Sequence, residues 1–144
     1  MSLDVNPSGL TVNSLVTPQI PVGQTAVCTT ANSNYGDTPT NSVVLVATQA
    51  KGARITKITA LARATVTPTE CQLFTSPDGG TTKRFVKSKL MPAYTVAQTT
   101  EQSSVDFGYS DTSPLILAPG ESLYAAIGVS NTGIVFRAEG GGYA

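Results

Sequence analysis

The chain has 144 residues, 40% of them hydrophobic and 12% charged, with nine Lys plus Arg against nine Asp plus Glu. That is the length of one domain, able to bury roughly 68–70% of the surface its unfolded form exposes, so no metal or disulfide scaffold is needed to hold a core. Zero net charge removes the electrostatic basis for a nucleic-acid or anionic-membrane partner, and the absence of histidine excludes Ser-His and Cys-His nucleophile pairs and His-based zinc sites.

Twenty-one Thr, 13 Gly and nine Pro, with short Val and Ile runs between them, describe strands and turns, because β-branched side chains pack well on a pleated surface. No apolar stretch approaches the roughly eighteen residues of a membrane-spanning helix. Asp4, Asn6 and Pro7 stand where a signal peptide has basic and then apolar regions. The expectation is a soluble protein made in the cytoplasm.

Residues 1–23 read as an extended arm, since Pro7, Pro18, Pro21 and a single charge accompany neither a helical nor a sustained strand period. Fully stretched, the arm spans about 75 Å, against a radius of gyration of about 14 Å for the remaining domain. It therefore wraps its own domain or reaches a neighbouring subunit, with a frayed terminus as the plainer alternative. Its aliphatic residues Leu10, Val12, Leu15, Val16, Ile20 and Val22 gain little by staying in water. They are the candidate assembly contacts.

The body, residues 24–144, reads as a succession of short strands. Thr25–Asn32 comes first, then the turn-rich NSNYGDTPTN, then Val43–Thr48, whose consecutive apolar residues suit a strand covered on both sides. Arg54–Val66 alternates, with Ile58, Ala60, Ala62, Ala64 and Val66 on one face. Cys71–Thr75 and Lys83–Leu90 flank SPDGG, a hairpin in which Pro77 fixes φ and Gly79 or Gly80 supplies a positive φ. Lys83, Phe85, Lys87 and Lys89 fall on one side of its second strand and Arg84, Val86 and Ser88 on the other. Aromatic-and-basic strands do bind single-stranded nucleic acid, but at zero net charge a lysine-guarded edge strand fits better.

From Met91 to Ser104 the sequence reads as a polar connection with one short strand near Tyr94–Ala97. Val105–Tyr109 and Leu115–Leu117 are strand-like, and Pro119-Gly120 suits the two corners of a type II turn. Ser122–Val129 and Ile134–Glu139 form the final hairpin, and Gly140, Gly141 and Gly142 make a flexible or tightly bent tail. About eight strands separated by Gly, Pro and Asn turns predict an all-β sandwich, most simply an eight-stranded jelly roll. An immunoglobulin-like sandwich is disfavoured by the absence of tryptophan between the two cysteines.

Chemistry-bearing residues are sparse. Cys28 and Cys71 admit three arrangements: a disulfide, two separate buried thiols, or contacts between chains. In a reducing cytosol buried free thiols are the default. Asp106, Asp111, Glu121, Glu101 and Glu139 are the carboxylates that glycosidase chemistry would draw on, but nothing in their spacing selects a pair. Asp78 in PDGG and Glu121 in APGE sit where local hydrogen bonding is the ordinary role. No catalytic residue, metal site or cofactor is expected.

From Gln72 through Tyr143 the runs LFTSPDGGTTKRFVKSKLM, VDFGYSDTSPLILAPGESLYAAIGV and VFRAEGGGY resemble small virion structural proteins of tailed bacteriophages, of the jelly-roll capsid decoration or head-fibre type. The resemblance covers about half the chain. It implies a non-enzymatic, homo-oligomeric virion component, a homotrimer as the expected form, whose partners are its own copies and the major capsid protein or another virion protein. A receptor- or carbohydrate-binding sandwich at a fibre tip is the alternative.

Overall fold

The structure, a computed structural model, describes residues 20–144, which contain nine strands and no helix. They are β1 (Ile20–Cys28), β2 (Val43–Gln49), β3 (Ala53–Ala62), β4 (Thr69–Ser76), β5 (Arg84–Met91), β6 (Ser104–Asp106), β7 (Leu115–Leu117), β8 (Glu121–Ile127) and β9 (Ile134–Gly142). Two antiparallel sheets result. One runs β1-β9-β3-β6 with β7 also on β3; the other runs β2-β8-β4-β5.

The pairing is nested. β4 pairs with β5, β3 with β6 and β7, β2 with β8, and β1 with β9, each pair enclosing the one before it. An antiparallel ribbon folded over in this way, alternating between two sheets, is a jelly roll. The count is nine rather than eight because Phe107–Pro114 interrupts the strand opposite β3. That interruption includes Gly108 at φ 89° and the Ser110–Ser113 bridge.

The core lies between the sheets. Val22, Ala26 and Cys28 of β1, Ile55, Ile58, Ala60 and Ala62 of β3, and Ile134, Phe136 and Ala138 of β9 face Leu45, Val46, Cys71, Leu73, Leu123, Ala125 and Ile127 of the second sheet. Alternation along each strand is what places them there. Ala64, grouped by the sequence with the inward face of β3, lies beyond the strand end and is half-buried, whereas Val66 is buried and bridges to Tyr94. That single bridge is all that forms of the strand expected at Tyr94–Ala97.

Both expected turns form. Gly79 and Gly80 have φ of 74° and 101° after Pro77, and Gly120 has φ 87° with Glu121 N–H donating to the Ala118 carbonyl at 2.9 Å. The expected final hairpin of Ser122–Val129 with Ile134–Glu139 does not form, because β8 pairs with β2 and β4 in one sheet while β9 pairs with β1 and β3 in the other. Three further expectations need correction. The sandwich begins at Ile20, because β1 pairs with β9 over its whole length from Ile20↔Gly142 to Cys28↔Ile134. Pro21 is tolerated there because β1 is an edge strand. Residues 1–19 of the expected arm lie outside the described residues.

Secondly, β2 is not covered on both sides. A register shift between Val44 and Val46 turns the consecutive residues Leu45 and Val46 both inward and leaves Val44 exposed. Thirdly, Gly140–Gly142 is no tail but the last part of β9, hydrogen-bonded between β1 and β3. A Cβ at Gly140 would sit 2.1 Å from the Arg54 carbonyl oxygen, so a side chain has no room where β3 bulges between Ile55 and Lys57.

Candidate functional site

A sandwich has two outer faces, and here they differ. Across the second sheet, register aligns Val44, Tyr124, Phe74 and Phe85 in one outward row. Residues 29–42, the connection from β1 to β2, lie over that row. Tyr35 meets the Phe85 ring edge-on at 5.0 Å, and Phe74 lies 5.3 Å from Phe85 and is fully buried. The Lys83 ammonium caps the Tyr124 ring at 4.5 Å and donates to Ser42 Oγ at 2.9 Å.

Polar groups pin the connection in place. The Asn32 amide donates to Gln72 Oε1 at 2.9 Å, Gln72 donates to Tyr35 Oη at 3.2 Å and to Glu70 Oε1 at 3.1 Å, and the Tyr35 hydroxyl donates to Glu70. Donation to the Glu70 carboxylate holds the Tyr35 hydroxyl pKa above its ordinary value. Asn32 Oδ1 in turn accepts from the backbone N–H groups of Asn34 and Thr40. Among the described residues no buried side-chain polar atom lacks a partner. The middle of this face, at Phe74 and Gln72, is therefore covered by the protein's own chain, while Tyr35, Val44 and Phe85 stay partly exposed around it.

The outer face of the first sheet carries no such cover among the described residues. Register aligns three rows on it: Val27, Val135, Leu61 and Ser104; then Thr25, Arg137, Thr59 and Asp106; then Gly23, Glu139 and Lys57. The first row carries three apolar side chains before Ser104 and is partly exposed, Leu61 at 43%. Beside the charged rows lies a cleft of about 630 Å³ floored by Gly23, Gly140 and Gly141 and flanked by Arg54, Asp111, Arg137 and Glu139. Arg137 pairs with Glu139 at 3.1 Å, while Arg54 donates to the Asp111 carbonyl and stands 3.9 Å from its carboxylate. Among the described residues Lys57 makes no ion pair.

Of the residues singled out from the sequence, Leu10, Val12, Leu15 and Val16 lie outside the described residues. Ile20 is 53% exposed at the start of β1, but Val22 is buried in the core, so it belongs to the sandwich and is not a free contact. Cys28 and Cys71 are both free and fully buried, on opposite sheets. Burial pushes each thiol pKa up to about 12, with the neighbouring charges of Cys28 and Glu70 adding smaller contributions to the rise at Cys71.

The carboxylates are dispersed. Glu121 accepts from Ala118 N–H at 2.7 Å, Asp106 from Gly108 N–H at 2.8 Å, and Asp78 from Thr82 N–H at 2.8 Å, which lowers the Asp78 pKa. Asp111 and Glu139 line one cleft together. Among the described residues no group of three or more Cys, Asp or Glu is placed to hold a metal ion. The basic strand β5 is indeed an edge strand. Its expected facing is wrong, because a bulge sets Phe85 opposite Phe74 but Lys87 opposite Leu73. Phe85 therefore joins the outward aromatic row, where it stays partly exposed, and Lys87 leans the other way, 4.8 Å over the Tyr109 ring.

What sequence reasoning missed is the open face itself. Its rows are assembled from four strands, and only cross-strand register brings Val27, Val135 and Leu61 together. The fold and its two faces define an all-β sandwich of jelly-roll connectivity, with one face covered at its centre by the protein's own loop and the other without such a cover among the described residues. No protein-family model, curated protein or solved structure matches the chain.

Proposed function

We propose that the chain is a non-enzymatic bacteriophage virion structural protein, a homo-oligomeric capsid decoration or head-fibre component that closes as a trimer and binds the major capsid protein or another virion surface. The observation that carries this reading is the nested jelly-roll pairing, β1 with β9 through β4 with β5. It is the fold that the virion-like runs between Gln72 and Tyr143 imply. The open outer face of the first sheet supplies surface for copies of the chain, and residues 1–19, entering the sandwich at Ile20, supply the tether. An antibody against the sandwich should label purified virions on the head shell, and virions made without the gene should lack the protein. Absence of the chain from virions sinks the reading.

The cleft beside Arg54 and Arg137 favours a second reading, a receptor- or carbohydrate-binding module at a fibre tip. Guanidinium and carboxylate groups around a glycine floor suit hydroxyl-rich ligands. Antibody label at the tail end, with glycan binding lost in Arg137→Ala, would select it over the first.

A further inference from the structure

The register that builds the first sheet also brings the start of β1 level with an apolar pocket. Ile20 pairs with Gly142, Gly142 with Ala53, and Ala53 with Leu117, so three strand steps put Leu117 about 14 Å from Ile20. At this end of the sandwich lies a pocket of about 580 Å³, lined by Lys51, Gly52, Ile116, Leu117, Pro119 and Tyr143. The Tyr143 N–H donates to the Gly52 carbonyl at 3.0 Å and fixes one wall. Ile116 is 58% exposed, with Ala118 and Pro119 exposed beside it. Apart from Lys51, the lining carries no charged side chain among the described residues. β1 begins at this end and runs away from it, so the chain upstream of Ile20 emerges on the pocket's side of the sandwich. In residues 1–19 the apolar pair nearest to Ile20 is Leu15-Val16, separated from it by Thr17, Pro18 and Gln19. Four residues of extended chain span about 14 Å, which is the distance from Ile20 to the pocket.

We propose that Leu15 and Val16 of the same chain seat in this pocket, forming a short strap across the end of the sandwich. The strap stands independently of the virion role and leaves residues 1–14, with Leu10 and Val12, for the tether. The reach selects this occupant, because the residue before a proline is driven to extended backbone and Thr17 thereby suits a straight crossing. Attachment at Ile20 also presents the pair at a high effective concentration, an advantage that neither a free partner nor a second copy has. Two aliphatic side chains match a lining of Ile, Leu, Pro and Tyr, and seating them removes both their own surface and that of Ile116 from water.

The test uses the full chain, which has no tryptophan, so Val16→Trp adds a single fluorescent reporter. Its emission should be blue-shifted from that of free indole, and the shift should persist on dilution because the contact lies within one chain. Adding Ile116→Asp should lower the docked-to-free ratio about tenfold or more and return the emission to the red. Circular dichroism of that variant should stay that of the folded sandwich, since Ile116 is exposed. Separately, in a Cys28→Ala, Cys71→Ala background, Val16→Cys with Ile116→Cys is oxidised with copper phenanthroline. It should give a monomer of faster non-reducing migration, and should do so sooner than Val16→Cys with Val129→Cys, whose second thiol lies past the far end of β8. Free-indole emission together with equal cross-linking at positions 116 and 129 overturns the strap. Blue-shifted emission that Ile116→Asp leaves unchanged overturns it by seating Val16 elsewhere. Cross-linked dimers in place of the fast monomer overturn it by seating the segment of a second copy.

Discussion

Asn32 and Gln72 are 40 positions apart in sequence, yet the Asn32 amide donates to Gln72 Oε1 at 2.9 Å in a fully desolvated setting. This bond joins the β1–β2 connection to the middle of β4 and closes the cover over the second sheet. Because Asn32 Oδ1 also receives two backbone N–H groups, Asn32→Ala strands several polar groups at once. The expected cost is about 1–3 kcal/mol, typical of buried donors and acceptors left unpaired. Urea unfolding measures it, and hydrogen exchange should show residues 29–42 losing protection first. An unchanged midpoint would mean the loop is not held by this bond.

Gly140 and Gly120 are glycines for different reasons, and alanine at each separates them. Gly140 has backbone on both sides, with the Arg54 carbonyl oxygen 2.1 Å and the Ile55 Cα 2.8 Å from an added Cβ. Gly140→Ala must force β9 from β3, an overpacking cost of about 3 kcal/mol or more. Gly120 has nothing within 4 Å and suffers only its positive φ of 87°, so Gly120→Ala should cost about 1–2 kcal/mol. Thermal unfolding should rank the two in that order.

The buried thiols make stability fall at alkaline pH. Both Cys28 and Cys71 rise from an ordinary value of 9.0 to about 12 in the fold, through desolvation. Between those values the unfolded chain gives up thiol protons that the folded chain keeps. Stability is therefore complete below pH 9 and declines as pH climbs toward 12, by about 1.4 kcal/mol per pH unit for each thiol. The double variant Cys28→Ala, Cys71→Ala should fold with modest loss at pH 7 and show a flatter alkaline limb. Native protein at pH 8 should also leave a thiol reagent unconsumed until denaturant is added.

Ala62 is a control for which way β3 faces. It is 1% exposed and packs toward the second sheet, so Ala62→Asp buries an unpaired carboxylate and should abolish soluble expression. Leu90, on the edge strand β5, is 63% exposed, and Leu90→Asp should change melting by no more than about 0.5 kcal/mol. Soluble, normally melting Ala62→Asp protein would contradict the inward face.

Local signals carried much of this architecture. PDGG and APGE each mark a turn whose glycines take positive φ, and the alternation Ile58, Ala60, Ala62 places the inward face of β3. Two of the misreadings share one physical cause, which is that bulges break the two-residue period without leaving a signature in composition. SVVLVAT reads as two-sided burial when a shift at Val44–Val46 turns neighbours inward, and RFVKSK reads as one basic face when a bulge sends Phe85 and Lys87 to opposite faces. The last three glycines read as a tail because their reason is the Arg54 carbonyl, some 86 positions away in sequence, which only pairing reveals. The open face was illegible for the same reason: no single strand contains it.

The nested pairing also dictates an order of events as the chain folds. β4 and β5 are joined by a short turn and meet at little entropic cost, while every later pair must close a longer loop around the ones inside it. Strand β1 is synthesised first among the described strands, yet its only partner in the sheet is β9, the last. Throughout translation β1 must wait with its backbone unpaired and its inward residues Val22, Ala26 and Cys28 exposed. The sandwich therefore zips outward from the PDGG turn and closes after β9 leaves the ribosome, making β1 the segment in greatest need of a chaperone.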